Sequence, residues 1–160
     1  MGFVLLPLAV LSFFLGIITV ERTRSQDILP AAIVIQATVS GQMFVAYRNA
    51  VAVYMQNNPT FTGTVSNAAL AAQGNLFSAA FLASTSNVIT STGVAGRVIT
   101  CYAALTTGAL AAASDATEND ASLGMASGAT WTSIATGASA VPLASSVPNG
   151  NVVSVVQIGS

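Results

Sequence analysis

Histidine and lysine are both missing from this 160-residue chain, and only nine side chains carry a formal charge: four arginines, three aspartates and two glutamates. Charged residues make up 6% of the chain, against about 25% in an ordinary soluble domain. Each absence removes a chemistry. Without histidine there is no Ser-His-Asp triad, no imidazole metal site and no histidine proton shuttle. Without lysine there is no Walker loop, no Schiff base and no Ser-Lys dyad. Four arginines and a net charge of −1 leave no electrostatic footprint for nucleic acid. The single cysteine, Cys101, cannot close an internal disulfide. Its apolar run, Val98 to Ala103, favours a buried small hydrophobe over an intermolecular disulfide or a reactive thiol.

What is present is small and apolar. Alanine, serine, threonine and glycine number 75, and 53% of the residues are hydrophobic, enough for one domain with a core. Residues 2–20 contain no charged or amide side chain, and Glu21, Arg22 and Arg24 end the run. A helix of that length spans about 28 Å, close to the roughly 30 Å hydrocarbon core of a bilayer, so a transmembrane helix over 1–20 is expected. A cleaved secretory signal would want a basic start and a small-x-small site, and neither is there. A buried core helix fits a terminal, all-round apolar stretch less well than lipid does. A type IV pilin amino terminus would carry glutamate at its fifth mature position, where counting from Met1 gives Leu5 and from Phe3 gives Pro7. Two arginines just after the span argue for a cytoplasmic body. The Thr-, Ser-, Asn- and Gly-rich composition argues for an exported one, which is the reading adopted.

Residues 21–30 read as a joint, because Leu29 precedes Pro30 and the residue before proline avoids the α region. From 31 to 160 the pattern predicts an exported α+β domain. Ile33, Ala37, Phe44, Tyr47, Val51 and Tyr54 fall on one face of a long amphipathic helix that Asn57-Asn58-Pro59 stops. Gln36, Gln42, Asn49 and Gln56 lie opposite, and Arg48 borders the stripe with its head expected in solvent. A short helix capped by Ser66 or Asn67 follows, and residues 77–83 are ambiguous between helix and strand. Residues 88–90, 97–105, 131–136 and 152–158 are β-branched runs bounded by turn formers, with Asn149-Gly150-Asn151 turning into the last. The predicted architecture is an amino-terminal transmembrane helix, then a long amphipathic helix packed on a small antiparallel sheet.

No residue constellation in the body supports catalysis. Asp115, Glu118 and Asp120 lack the alternating ligands, central glycine and closing glutamate of a calcium loop, and read as a solvated loop or helix start. No G-x-S-x-G or G-x-G-x-x-G occurs, and Ser139 has no base beside it. The expectation is therefore a non-enzyme with no cofactor and no metal. Its structural or contact residues are Tyr47, Arg48 and Tyr54 on the helix and Trp131 as a sheet anchor.

The span, the helix ending Phe44-Val45-Ala46-Tyr47-Arg48-Asn49-Ala50-Val51-Ala52-Val53-Tyr54, then Asn58-Pro59, Phe61-Thr62-Gly63 and the strand Arg97 to Tyr102 together resemble the PilM family of thin-pilus systems on conjugative plasmids. The resemblance covers most of the chain and is weaker after Ser114. It implies a membrane-anchored, inner-membrane component of type IVB pilus biogenesis or pilin transport with a periplasmic body. Other pilus-assembly proteins or pilin subunits would be its partners, alongside lipid around residues 2–20, and self-association fits a surface so poor in charge. The alternative is a pilin-like subunit of an extracellular fibre. It would explain the low charge, but it lacks the fifth-position glutamate and the paired cysteines of many pilins. A membrane-tethered hydrolase is a third class with no base to support it.

Overall fold

A computed structural model describes the backbone of residues 5–93 and 96–159, and side chains within 31–93 and 96–159. The chain divides into two compact units, residues 1–36 and 37–160. In the first, the described feature is helix α1 (Leu5–Asn57), which continues into the second unit. The joint expected at residues 21–30, a break or kink near Leu29, does not interrupt the helix: the backbone stays helical through Pro30. A proline removes one i→i−4 hydrogen bond and bends a helix, but does not end it when good helix formers follow. The segment Ala31-Ala32-Ile33 continues it here. The expected membrane span, residues 2–20, lies outside the residues whose side chains are described. Among the described residues no helix is long and apolar enough to cross a membrane.

The second unit is an α+β body with helices α2 (Asn67–Ala72), α3 (Ala79–Ala83) and α4 (Ala109–Asp115). Its strands are β1 (Thr85–Ser91), β2 (Arg97–Ala103), β3 (Leu123–Ser133), β4 (Val141–Val147) and β5 (Val152–Ile158). They form one antiparallel sheet in the order β1-β2-β5-β3-β4. Strand alternation gives it two faces. Ile89, Ile99, Cys101, Leu123 and Val152 face α1 and pack with Phe44, Tyr47, Val51 and Met55 into one buried cluster. The predicted stripe is thus confirmed at Ala37, Phe44, Tyr47 and Val51, while Ile33 is 60% exposed.

Local rules account for the short elements. Ser66 and Ser78 cap α2 and α3 by accepting from Ala69 N at 3.2 Å and Phe81 N at 3.3 Å. β1 lies at one end of the strand order, yet Gly63 pairs with Ile89 through N–H···O bonds of 2.8 and 2.9 Å, so the chain leaving α1 covers part of that edge. β3 doubles back near Gly128, whose φ is 63°, and Ile134 N donates to Leu123 O at 2.9 Å. The acidic segment begins at Asp115, the last residue of α4, and does not start a helix, because left-handed Glu118 and Asn119 terminate the turn there.

Candidate functional site

Three of the four singled-out residues lie on α1, and they face different surroundings. Tyr47 is 1% exposed and sits edge-on to Phe77 and Phe81, with ring centroids 5.5 and 6.0 Å away. Asn87 Nδ2 donates to its Oη at 2.7 Å. Burial pushes the phenol above its ordinary pKa, only partly offset by that bond, so Tyr47 stays protonated and structural. Tyr54 packs edge-to-face on Phe61 at 5.3 Å and is half-buried, at the point where Asn58 caps the helix end by donating to Tyr54 O.

Arg48 corrects the sequence reading. Its head does not run out to solvent but crosses to the sheet. Nη2 lies 2.8 Å from Asp120 Oδ2, and Nη1 donates to Ser122 Oγ at 2.9 Å and Ser154 Oγ at 3.5 Å. The guanidinium thus ties α1 to β5 and to the loop after α4. Burial alone would raise the Asp120 pKa, but hydrogen bonds from Ser122 N and Arg48 outweigh it and hold the carboxyl below its usual value. Because that pKa is lowered in the folded state, the pair stabilises the fold above the ordinary carboxylate range near pH 4 and ceases to do so as pH falls through the lowered value. The two side chains are 14% and 34% exposed, so solvent screens them. A double-mutant cycle of Arg48→Met and Asp120→Asn should give a coupling of about 1 kcal/mol at neutral pH. Thermal melts from pH 6 to pH 3 should show it decline once the pH falls below about 4, and a coupling unchanged at pH 3 would contradict the assignment.

Beside this clasp lies a cleft of about 270 Å³ lined by Arg48, Asn49, Ala52, Cys101, Asp120 and Ser154, among others. Cys101 forms part of its wall, and burial pushes its thiol up to about 12, against a small opposing effect of Arg48. It is a protonated core side chain and not a nucleophile at neutral pH. Among the described residues no group of His, Cys, Asp and Glu could hold a metal ion.

Trp131 stands apart, on the sheet face turned away from α1. Its ring lies over Gly124, where an added Cβ would be 2.8 Å from Trp131 Cε3 and 2.1 Å from Thr132 O, so only glycine fits. The indole, 9% exposed, walls a groove of about 450 Å³ with Val98, Val141, Leu143, Val155 and Gln157. It lies in β3 and does not join the α1 residues in one site. Sequence reasoning missed Asn87, Ser122 and Ser154. Asp120 was noticed only within its acidic run, although the body offers two arginines and three carboxylates and so few pairings.

The family model PilM matches residues 10–155, most of the chain. The chain belongs to the PilM family. A search of curated proteins finds no match. One solved structure similar to this PilM-family chain is the crystal structure of the protein PilM from Escherichia coli B7A. The two are 16% identical, with a TM-score of 0.56 over 76% of this chain and 92% of the other. At that identity the likeness speaks to the fold alone, whereas the family match runs past Ser114, where the sequence resemblance is weaker, to residue 155.

Proposed function

We propose that this PilM-family chain is a non-enzymatic, membrane-anchored component of a type IV pilus biogenesis or pilin-transport apparatus, with its α+β body in the periplasm. The family match over residues 10–155 is the observation that carries this reading. Two features agree with it. The charge-free residues 2–20 supply a segment suited to lipid. In the cleft beside α1 the reactive side chains are committed elsewhere: burial pushes the Cys101 thiol up to about 12, and Asp120 is paired with Arg48. The partners would be other pilus-assembly proteins or pilin subunits.

A second reading is kept because a long helix packed on an antiparallel sheet and poor in charge also suits a filament subunit. Shearing separates the two. The biogenesis component should stay with the inner-membrane fraction of sheared cells, and its deletion should abolish surface fibres. If the chain leaves the cells as the main constituent of the fibres, it is a pilin-like subunit and the first reading fails.

A further inference from the structure

Of the two arginines whose side chains are described, the more exposed one has the carboxylate. Arg48 is half-buried and pairs with Asp120. Arg97 opens β2 at only 7% exposure, and among the described residues no carboxylate meets it. Its hydrogen bonds go to neutral oxygens. Nη1 donates to Gly96 O at 2.8 Å and to Ser91 Oγ at 3.3 Å, and Nη2 donates to Thr60 O at 3.3 Å. Nε is buried and has no acceptor.

A guanidinium carries five N–H donors and keeps its charge inside a protein. With three bonds made, the Nε–H and one Nη2–H are left over. Nε and Nη2 share one edge of the group, and such an edge is the fork that a carboxylate accepts with both oxygens. A cation taken out of water is costly unless an anion offsets it, and neutral oxygens do so only in part.

We propose that Arg97 is the base of a binding site for a single carboxylate, held on its Nε–Nη2 edge. One buried cation matches one negative charge, and the planar fork matches a carboxylate. The site lies at the rim of the sheet, where Arg97 stands opposite Ser91 on one side and Ile158 on the other. Thr60 and Ser91 are both exposed, so the guanidinium sits just under the surface. Their 3.3 Å bonds are long for N–H···O. An incoming carboxylate displaces those two and keeps the 2.8 Å bond to Gly96. No charged residue lies between Asn49 and Gly96, the stretch that supplies Thr60 and Ser91, so none of it repels an anion. A free carboxylic acid and an aspartate or glutamate of another protein offer the same chemistry. The site stands independently of the role in pilus biogenesis.

The test melts the full chain in neutral detergent with acetate, with the blocked peptide acetyl-Gly-Glu-Gly-amide, or with chloride at equal ionic strength. A carboxylate probe should raise the midpoint saturably, by about 5 °C at roughly ten times its half-saturating concentration, where chloride does not. Acetate saturating first identifies a free acid as the ligand; the peptide saturating first identifies a protein side chain. Arg97→Lys, which keeps the charge without the fork, should need about tenfold more probe, and Arg97→Met should not respond. The Nε–H signal of Arg97 in the arginine-labelled chain, assigned by its loss in Arg97→Lys, should move with the same saturation. That measurement decides the matter even if Arg97→Met does not fold. The proposal is overturned if neither probe raises the midpoint beyond chloride, if the Arg97 variants respond as the wild type does, or if the Nε–H signal stays in place.

Discussion

Replacing Asn87 with leucine should destabilise the body by about 3–5 kcal/mol. Asn87 is 1% exposed in β1 and its amide makes three hydrogen bonds inside the protein. Oδ1 accepts from Val65 N at 2.8 Å, while Nδ2 donates to Val65 O at 3.0 Å and to Tyr47 Oη at 2.7 Å. The side chain therefore acts toward Val65 as a neighbouring strand would, extending the cover of the β1 edge that Gly63 begins. Leucine has nearly the same shape but leaves the N–H and C=O of Val65 and the hydroxyl of Tyr47 buried without partners. Each such group costs about 1–3 kcal/mol. Tyr47→Phe, which forfeits a single bond, should cost only about 1 kcal/mol. Denaturant unfolding followed by the fluorescence of Trp131 measures both. A loss below about 1 kcal/mol for Asn87→Leu would mean that water replaces the network and that the segment after α1 is not held by it.

The second large effect is expected at Gly41. Alanine is the best helix former, and in an exposed helix Gly→Ala would stabilise by about 1 kcal/mol. Here an added Cβ would lie 2.5 Å from Ala109 O and 2.8 Å from Ala113 N, both backbone atoms of α4 that cannot rotate away. Ala37 packs at the same crossing, 3.4 Å from where a Cβ on Gly108 would sit. α4 must therefore move off α1, and Gly41→Ala should lower stability by about 1–3 kcal/mol despite its better propensity. α4 leads directly into the loop that holds Asp120, so the same substitution should also weaken the Arg48–Asp120 coupling. Melting midpoints of the single and combined variants would show this as non-additivity. A stabilised Gly41→Ala would mean that α4 is not seated on the helix.

These two positions also mark the limit of what could be read from the sequence. The core stripe of α1 was legible because Phe44, Tyr47 and Val51 repeat at helical spacing, and β5 because Val152 to Ile158 is apolar and follows a turn signal. β1 was found only at residues 88–90. Its first half, Thr85-Ser86-Asn87, is polar and reads as a turn, although tertiary contacts recruit it to the sheet. β4 was missed because Val141-Pro142-Leu143 interrupts any strand pattern with a proline, which an edge strand tolerates since one row of its amides needs no partner. Pro30 misled in the opposite direction, with a sound local rule overridden by the helix on either side. The Arg48 clasp was hidden for another reason. A charge beside an apolar stripe looks the same whether its partner is water or a carboxylate brought in by the fold. Gly41 carried no sequence signal that would set it apart from an ordinary helical glycine.

The strand order has a consequence for how such a chain is made. β5, the last strand, lies at the centre of the sheet, between β2 and β3. Until Val152 to Ile158 are available, β1-β2 and β3-β4 are two hairpins with no hydrogen bonds joining them, and each exposes an inner edge. The body therefore cannot reach its final form from the amino terminus onward during synthesis. Its folding waits on contacts distant in sequence and falls on the slow side for its size. A chain that crosses a membrane before it folds would benefit from that delay, and a chain cut short before β5 would remain a substrate for proteolysis.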